Sequence, residues 1–118
     1  MQYLLMLYVN EAGWPKLSQA EQEQGMAAYR AYHQSLAEAG VLRDTKRLQP
    51  SVSATTVRLA DGKRQVLDGP FADSKEQIGG LYLIDVPDLD AALEWAARCP
   101  AAGHGTVEVR PVWATPQD

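Results

Sequence analysis

Two short runs, YLLMLYV at 3–9 and LYLIDV at 81–86, constrain the fold of this 118-residue chain most strongly. Successive side chains of a strand point to opposite faces, so a run that is apolar at both phases needs cover on both sides. Such strands belong at the centre of a sheet. Neither run is long enough to cross a bilayer, and no basic segment precedes the first, so the sequence predicts a cytoplasmic protein with no membrane partner. At this length the chain forms a single core, and the expected organisation is one domain over residues 1–118.

The segments around these strands carry their own punctuation. Ser18-Gln19-Ala20-Glu21 is a capping box, and Met26, Tyr29, His33 and Leu36 then recur at helical spacing until Gly40 offers a stop, which predicts a first helix over 18–39 with His33 turned toward the sheet. Val41 to Gln49 is sparsely apolar and highly charged, as an edge strand is, and Pro50 ends it. Next comes a hairpin. ATTVRLA and KRQVLD flank Asp61-Gly62, the loop chemistry of a type I′ turn, and counting outward pairs Val57 with Val66. Pro87-Asp88 opens a second helix with Leu89, Ala92, Leu93 and Ala96 on one face, closed by Pro100. Val107, Val109 and Trp113 then alternate with Glu108 and Arg110, as a strand with one covered face would.

The order is βαβ, hairpin, βαβ. Right-handed crossovers put both helices on the same side, so the expected class is α+β, a ferredoxin-like antiparallel sheet with helices on one face. Its other face is then bare, although both central strands are apolar there. The sequence predicts a homodimer through that sheet face.

The stretch DGPFADSKEQIGGLYLIDVPDLDAALEWAARCP followed by GTVEVRPVW resembles the YCII-related family, in the branch named for its DGPF tetrapeptide, and the likeness extends upstream through LQPSVSATTVRLADGK. The resemblance implies a dimeric α/β barrel built from ferredoxin-like subunits. It also implies small-molecule chemistry, because some relatives resemble enzymes, one of them assigned to dechlorination of a hydroxyquinol, with a histidine and an aspartate as the proposed pair. Genes for DGPF proteins often neighbour those for extracytoplasmic-function sigma factors, which implies a sigma factor as an alternative partner in a non-catalytic, regulatory role. The family histidine lies about three turns before the glycine that closes the first helix. Counting back from Gly40 places Tyr29 there, with His33 one turn later.

The candidate site is a pocket between the sheet and the first helix, with His33 and Asp68 as the catalytic candidates and Tyr29 and Arg58 as ligand-binding residues. His33 within an apolar stripe is either a packing residue or an acid, base or ligand. Asp68 either accepts backbone N–H groups of the turn that Gly69-Pro70 enforces, or stands as a partly desolvated base at the mouth of the cleft. Phe71 is the apolar residue available to anchor that loop, Ser74 to Glu76 read as a solvated turn, and Gly79-Gly80 as a bulge or a close backbone approach. His104, between two glycines, reads as a solvated turn residue.

Other chemistries are excluded or weakened by pattern. A net charge of −4 provides no field for direct nucleic-acid binding. There is no phosphate-binding glycine loop, and Gly79-Gly80 precedes a strand where a dinucleotide site needs a helix, so no cofactor is expected. Asp88 is accounted for as a helix cap and Asp90 as a first-turn charge, leaving Asp85 without metal-ligating neighbours and no metal expected. Cys99, alone in the sequence, has no disulfide partner in the chain and reads as a packing residue. Glu108 and Arg110 share a strand face and can pair, although an arginine there could also meet an anionic ligand.

Overall fold

The structure is a computed structural model that describes residues 1–72 and 74–114, so Asp73 of the DGPFADSK stretch lies outside the described residues. Among the described residues, six strands and three α-helices follow in the order β1 (Gln2–Val9), α1 (Gln19–Glu38), β2 (Leu42–Arg47), β3 (Thr55–Ala60), β4 (Lys63–Asp68), β5 (Gln77–Asp85), α2 (Leu89–Arg98), α3 (Ala101–His104) and β6 (Thr106–Pro111). The main sheet has the order β2-β5-β1-β6, with β3 and β4 forming a separate two-stranded ribbon. This is the ferredoxin-like arrangement, with the hairpin inserted between its second and third sheet strands.

The doubly apolar strands are the central ones. They pair antiparallel, Leu5 opposite Tyr82 and Tyr3 opposite Ile84, and these four side chains enter the core together with Leu7. Tyr32 and Leu36 of α1 and Ala92 and Ala96 of α2 cover that face. Leu4, Met6, Leu81 and Leu83, on the alternate positions, are only half-buried, because the described residues place no layer over them. The chain is accordingly thin, 48 × 48 × 18 Å along its principal axes. A sheet and one layer of helices stand about 10 Å apart, so a thickness near 18 Å leaves no third layer.

Local signals read from the sequence hold at most junctions. The Ser18 hydroxyl accepts from the Glu21 N–H at 3.1 Å while the Glu21 carboxylate accepts from the Ser18 N–H at 3.0 Å, closing the capping box. The Asp88 carboxylate accepts from the Ala91 N–H at 2.9 Å, the role expected of it. Asp61 and Gly62 both take positive φ, 51° and 76°, as a type I′ turn requires, and Val57 faces Val66. Both readings of Gly79-Gly80 are realised: the β1–β5 register slips so that Leu7 faces Gly80 and Tyr8 faces Ile78, leaving Gly79 as the bulge. A Cβ on Gly80 would lie 3.0 Å from the Lys46 carbonyl oxygen, so glycine lets β2 approach.

Three expectations need correction. His33 is exposed, and Tyr32 takes the sheet-facing place on α1. The two positions differ by one helical step of about 100°, and Tyr32 wins because its hydroxyl donates to the Trp95 carbonyl at 2.8 Å and its ring stands edge-on to Tyr82, 5.2 Å between centroids. Trp113 does not continue the last strand: β6 ends at Pro111, whose ring removes a ladder N–H, and Trp113 is 89% exposed. Phe71 anchors nothing in the core; it is exposed beneath the Arg58 guanidinium, 6.0 Å from its ring centroid.

Gly105 is the tightest glycine. A Cβ there would fall 2.1 Å from the Tyr8 carbonyl oxygen, against backbone that cannot yield as a side chain can. Gly105→Ala is expected to destabilise the chain by about 2 kcal/mol or more, read as a lower midpoint in urea unfolding. Gly103→Ala, with no atom within 4 Å of its Cβ, should leave the midpoint unchanged or slightly raised.

Candidate functional site

The candidate site lies between α1 and the sheet toward the end where β1 and β2 finish. Three aromatic residues line the seam: Tyr32 is buried against Tyr82, and Tyr29, one turn earlier on α1, is half-buried beside them. Cys99, which caps α2, is buried at the same place, the packing role read for it. Burial pushes the Cys99 thiol above its ordinary range. Burial likewise raises the phenols of Tyr32 and Tyr82, with the neighbouring Thr45 hydroxyl pulling Tyr82 partly back.

Tyr29 is the exposed end of this cluster, with the His104 imidazole and the Arg47 guanidinium at its rim. Its ring stands edge-on to the His104 imidazole, with centroids 6.5 Å apart and planes at 75°. Burial, and then the nearby Cys99 and Tyr82, push its phenol up to about 12, and the Arg47 guanidinium draws it back in part. Among the described residues the Tyr29 hydroxyl forms no hydrogen bond, whereas the Tyr32 hydroxyl is committed to Trp95. Tyr29 is therefore a neutral donor with an open valence at neutral pH.

The partners of Tyr29 come from distant parts of the chain. Arg47 is the last residue of β2, on the helix side of the sheet by its register with Gly80, and it borders an open groove of about 300 Å³ shared with Leu48, Gln49 and Pro50. His104 closes α3 and is held there by Gly105, whose backbone abuts β1. Phenol, guanidinium and imidazole can together offer hydrogen bonds and positive charge to an anionic oxygen while the rings stack on a planar body. The imidazole adds ring nitrogens that can donate or accept a hydrogen bond.

The residues singled out from sequence do not all gather here. Tyr29 does; His33 lies on the exposed side of α1. Arg58 and Asp68 lie on the exposed β3–β4 ribbon, whose extensive contacts are confined to its own two strands. Asp68 does not secure its turn through its carboxylate, since among the described residues the bonds are made by the next backbone unit. The Gly69 N–H donates to the Ala54 carbonyl at 2.7 Å, and the Gly69 carbonyl accepts from the Thr56 hydroxyl at 2.7 Å. With φ of 99°, Gly69 takes a conformation that only glycine adopts freely. The loop that follows is exposed at Ser74 and Lys75, as expected, and is tied down by its neighbours. Gln77 donates to the Ser74 carbonyl at 2.6 Å, and Glu76 accepts from the Thr106 hydroxyl at 2.8 Å, which lays 74–76 over the end of the open sheet face. On that face Glu108 and Arg110 pair at 2.6 Å, as expected.

The comparisons agree with this architecture. Residues 1–116 match the YCII-related domain. The chain belongs to the YCII-related family. It is similar to an uncharacterized protein of Rhizobium meliloti (strain 1021), 40% identical over 114 residues that cover 95% of this chain and 92% of the relative. Among solved structures it is similar to 5-chloro-2-hydroxyhydroquinone dehydrochlorinase from Burkholderia phenoliruptrix in complex with 2,5-dihydroxybenzoquinone. The TM-score is 0.57 and the identity 14%, covering 100% of this chain and 99% of the other. At that identity the likeness concerns the fold. None of the described helices of this YCII-related chain is long and apolar enough to cross a membrane.

The electrostatics of Tyr29 can be read from alkaline unfolding. The folded phenol holds its proton more tightly than an unfolded tyrosine near 10, so its contribution to stability is complete below about pH 10 and is lost as pH rises through about 12. The urea midpoint is expected to fall over that window, and Tyr29→Phe should make the fall shallower. An equally steep fall in the variant would assign it wholly to other groups.

Proposed function

We propose that this YCII-related chain binds a small planar molecule carrying an acidic oxygen, as a homodimer packed through the open face of its sheet. The observation that carries the ligand reading is the Tyr29 hydroxyl, held protonated and left without a partner among the described residues, beside Arg47 and His104. A protonated phenol and a guanidinium stabilise an oxyanion without giving up a proton, which suits binding of an enolate, phenolate or carboxylate. Tyr29 and His104 supply the edge and face that a flat ring packs against. The dihydroxybenzoquinone in the fold neighbour is a molecule of this kind and serves as a probe. If the protein also turns its ligand over, the proton passes through His104, since the raised phenol is too weak an acid to release one near neutral pH.

Support for the homodimer comes from Leu4, Met6, Leu81 and Leu83, which form a contiguous apolar surface in the middle of the sheet. Such a surface is costly to leave in water, and a two-fold axis would cover it with itself.

Calorimetric titration with 2,5-dihydroxybenzoquinone should give saturable binding, weakened at least about tenfold in Arg47→Ala and in Tyr29→Phe, the range expected when a charge-assisted or phenolic hydrogen bond is lost. Melting temperatures of both variants should stay near that of the parent. Saturable binding that neither substitution weakens would move the ligand away from this seam. Light scattering at micromolar protein should give twice the chain mass, and the mass of a single chain would overturn the dimer.

A further inference from the structure

Like the open face of the main sheet, the β3–β4 ribbon carries apolar side chains that the described residues leave without cover. Val57, Val66 and Leu59 are 57%, 52% and 75% exposed. A two-stranded hairpin by itself is marginal in water. This one nevertheless has both ends fixed: its tip is closed by the positive φ of Asp61 and Gly62, and its base by the bonds that Gly69 exchanges with Ala54 and Thr56. It is a projecting element of set geometry. The radius of gyration, 16.4 Å, exceeds the value of about 13.5 Å expected for a compact chain of this length.

The register sorts the ribbon into two unlike faces. On one face Val57 stands opposite Val66 and Leu59 opposite Arg64, with Thr55 and Asp68 at the base, so three aliphatic side chains lie together there. The other carries Arg58 opposite Gln65, Lys63 opposite Ala60 and Leu67 opposite Thr56, and is basic with a single large aliphatic. A face of three aliphatic side chains on an otherwise uncovered arm needs an apolar surface to lie on.

The size of the open sheet face indicates how much further interface a stable pair would need. Four strands spaced about 4.8 Å apart, each contributing about six residues at about 3.3 Å, present about 400 Å² per copy, or about 800 Å² for a pair. Stable interfaces bury about 1,200–2,000 Å² in total. A ribbon about 20 Å long and 10 Å wide covers about 200 Å², so two exchanged arms and the surfaces that receive them bring the total to about 1,600 Å². Both elements belong to the same chain, and one two-fold axis uses them together.

We infer that the β3–β4 hairpin is an arm that lies, through Val57, Leu59 and Val66, on a second copy of this chain, each copy receiving the arm of the other. The inference rests on the sheet-face dimer proposed above and adds to it the element that completes the interface. The arm also holds Arg58 and Asp68 away from their own chain's α1: Asp68 shares the face that lies on the partner, and Arg58 stands on the other.

The test uses the full chain in a sedimentation dilution series with Leu59→Glu, and hydrogen exchange of the parent above and below its dissociation constant. Position 59 is exposed in the single chain, so Leu59→Glu should keep the circular dichroism of the parent while weakening dimerisation at least about tenfold. Hairpin amides of the parent should be protected in the dimer and exchange rapidly on dilution. A dimer whose hairpin exchanges rapidly at every concentration, and which Leu59→Glu leaves intact, overturns the arm and leaves the sheet-face dimer standing. A parent that is monomeric at micromolar concentration overturns both.

Discussion

The antiparallel seam between β1 and β5 is the constraint on which everything else hangs. Leu5 and Ile84, both fully buried, lie on its helix side, and the same seam presents Leu4, Met6, Leu81 and Leu83 on the other. One set of strands thus creates two apolar surfaces, and the chain's own helices cover only one. The proposed site and the proposed interface follow from that asymmetry. In the proposed reading, the seam between helices and sheet is the rim that meets a ligand, and the bare face is the area that a second copy would cover.

The register slips at Gly79 near the end of β1, and Gly80 lets the Lys46 carbonyl come close, beside Arg47 at the end of β2. The interior of the cluster is spent on structure: Tyr32 bonds Trp95, and Cys99 is buried. Tyr29 shares the desolvation of this interior, yet among the described residues its hydroxyl has no hydrogen-bond partner, and the proposed ligand role rests on this combination.

Much of the fold is legible because its signals are local. The capping box at Ser18, the cap at Asp88, the Asp61-Gly62 turn and the glycines of the bulge each act within a few residues, and each is where the sequence placed it. The site is only partly legible. Tyr29 could be found by counting along α1, but Arg47 looked like one charge among several on an edge strand, and His104 like a turn residue between glycines. Nothing within a few residues of either signals Tyr29, because the contact joins three elements that are far apart in the chain. His33 and Asp68 show the converse. Both residue types carry strong chemical expectations, and both are exposed, since Tyr32 claimed the buried phase of the helix and the Gly69 backbone claimed the bonds of the turn.

By itself, then, the sequence determined the alternation and punctuation of its elements, the centrality of the two doubly apolar strands and the type of its hairpin turn. These depend on side-chain period and on backbone conformations confined to a few residues. Only the tertiary structure decided which of two neighbouring α1 residues entered the core and which loop histidine met Tyr29. It also decided that the hairpin would stand clear of its own chain. Each of these turns on a rotation of about 100° or on a contact between residues tens of positions apart, and such contacts are selected by packing and hydrogen bonding across the whole core.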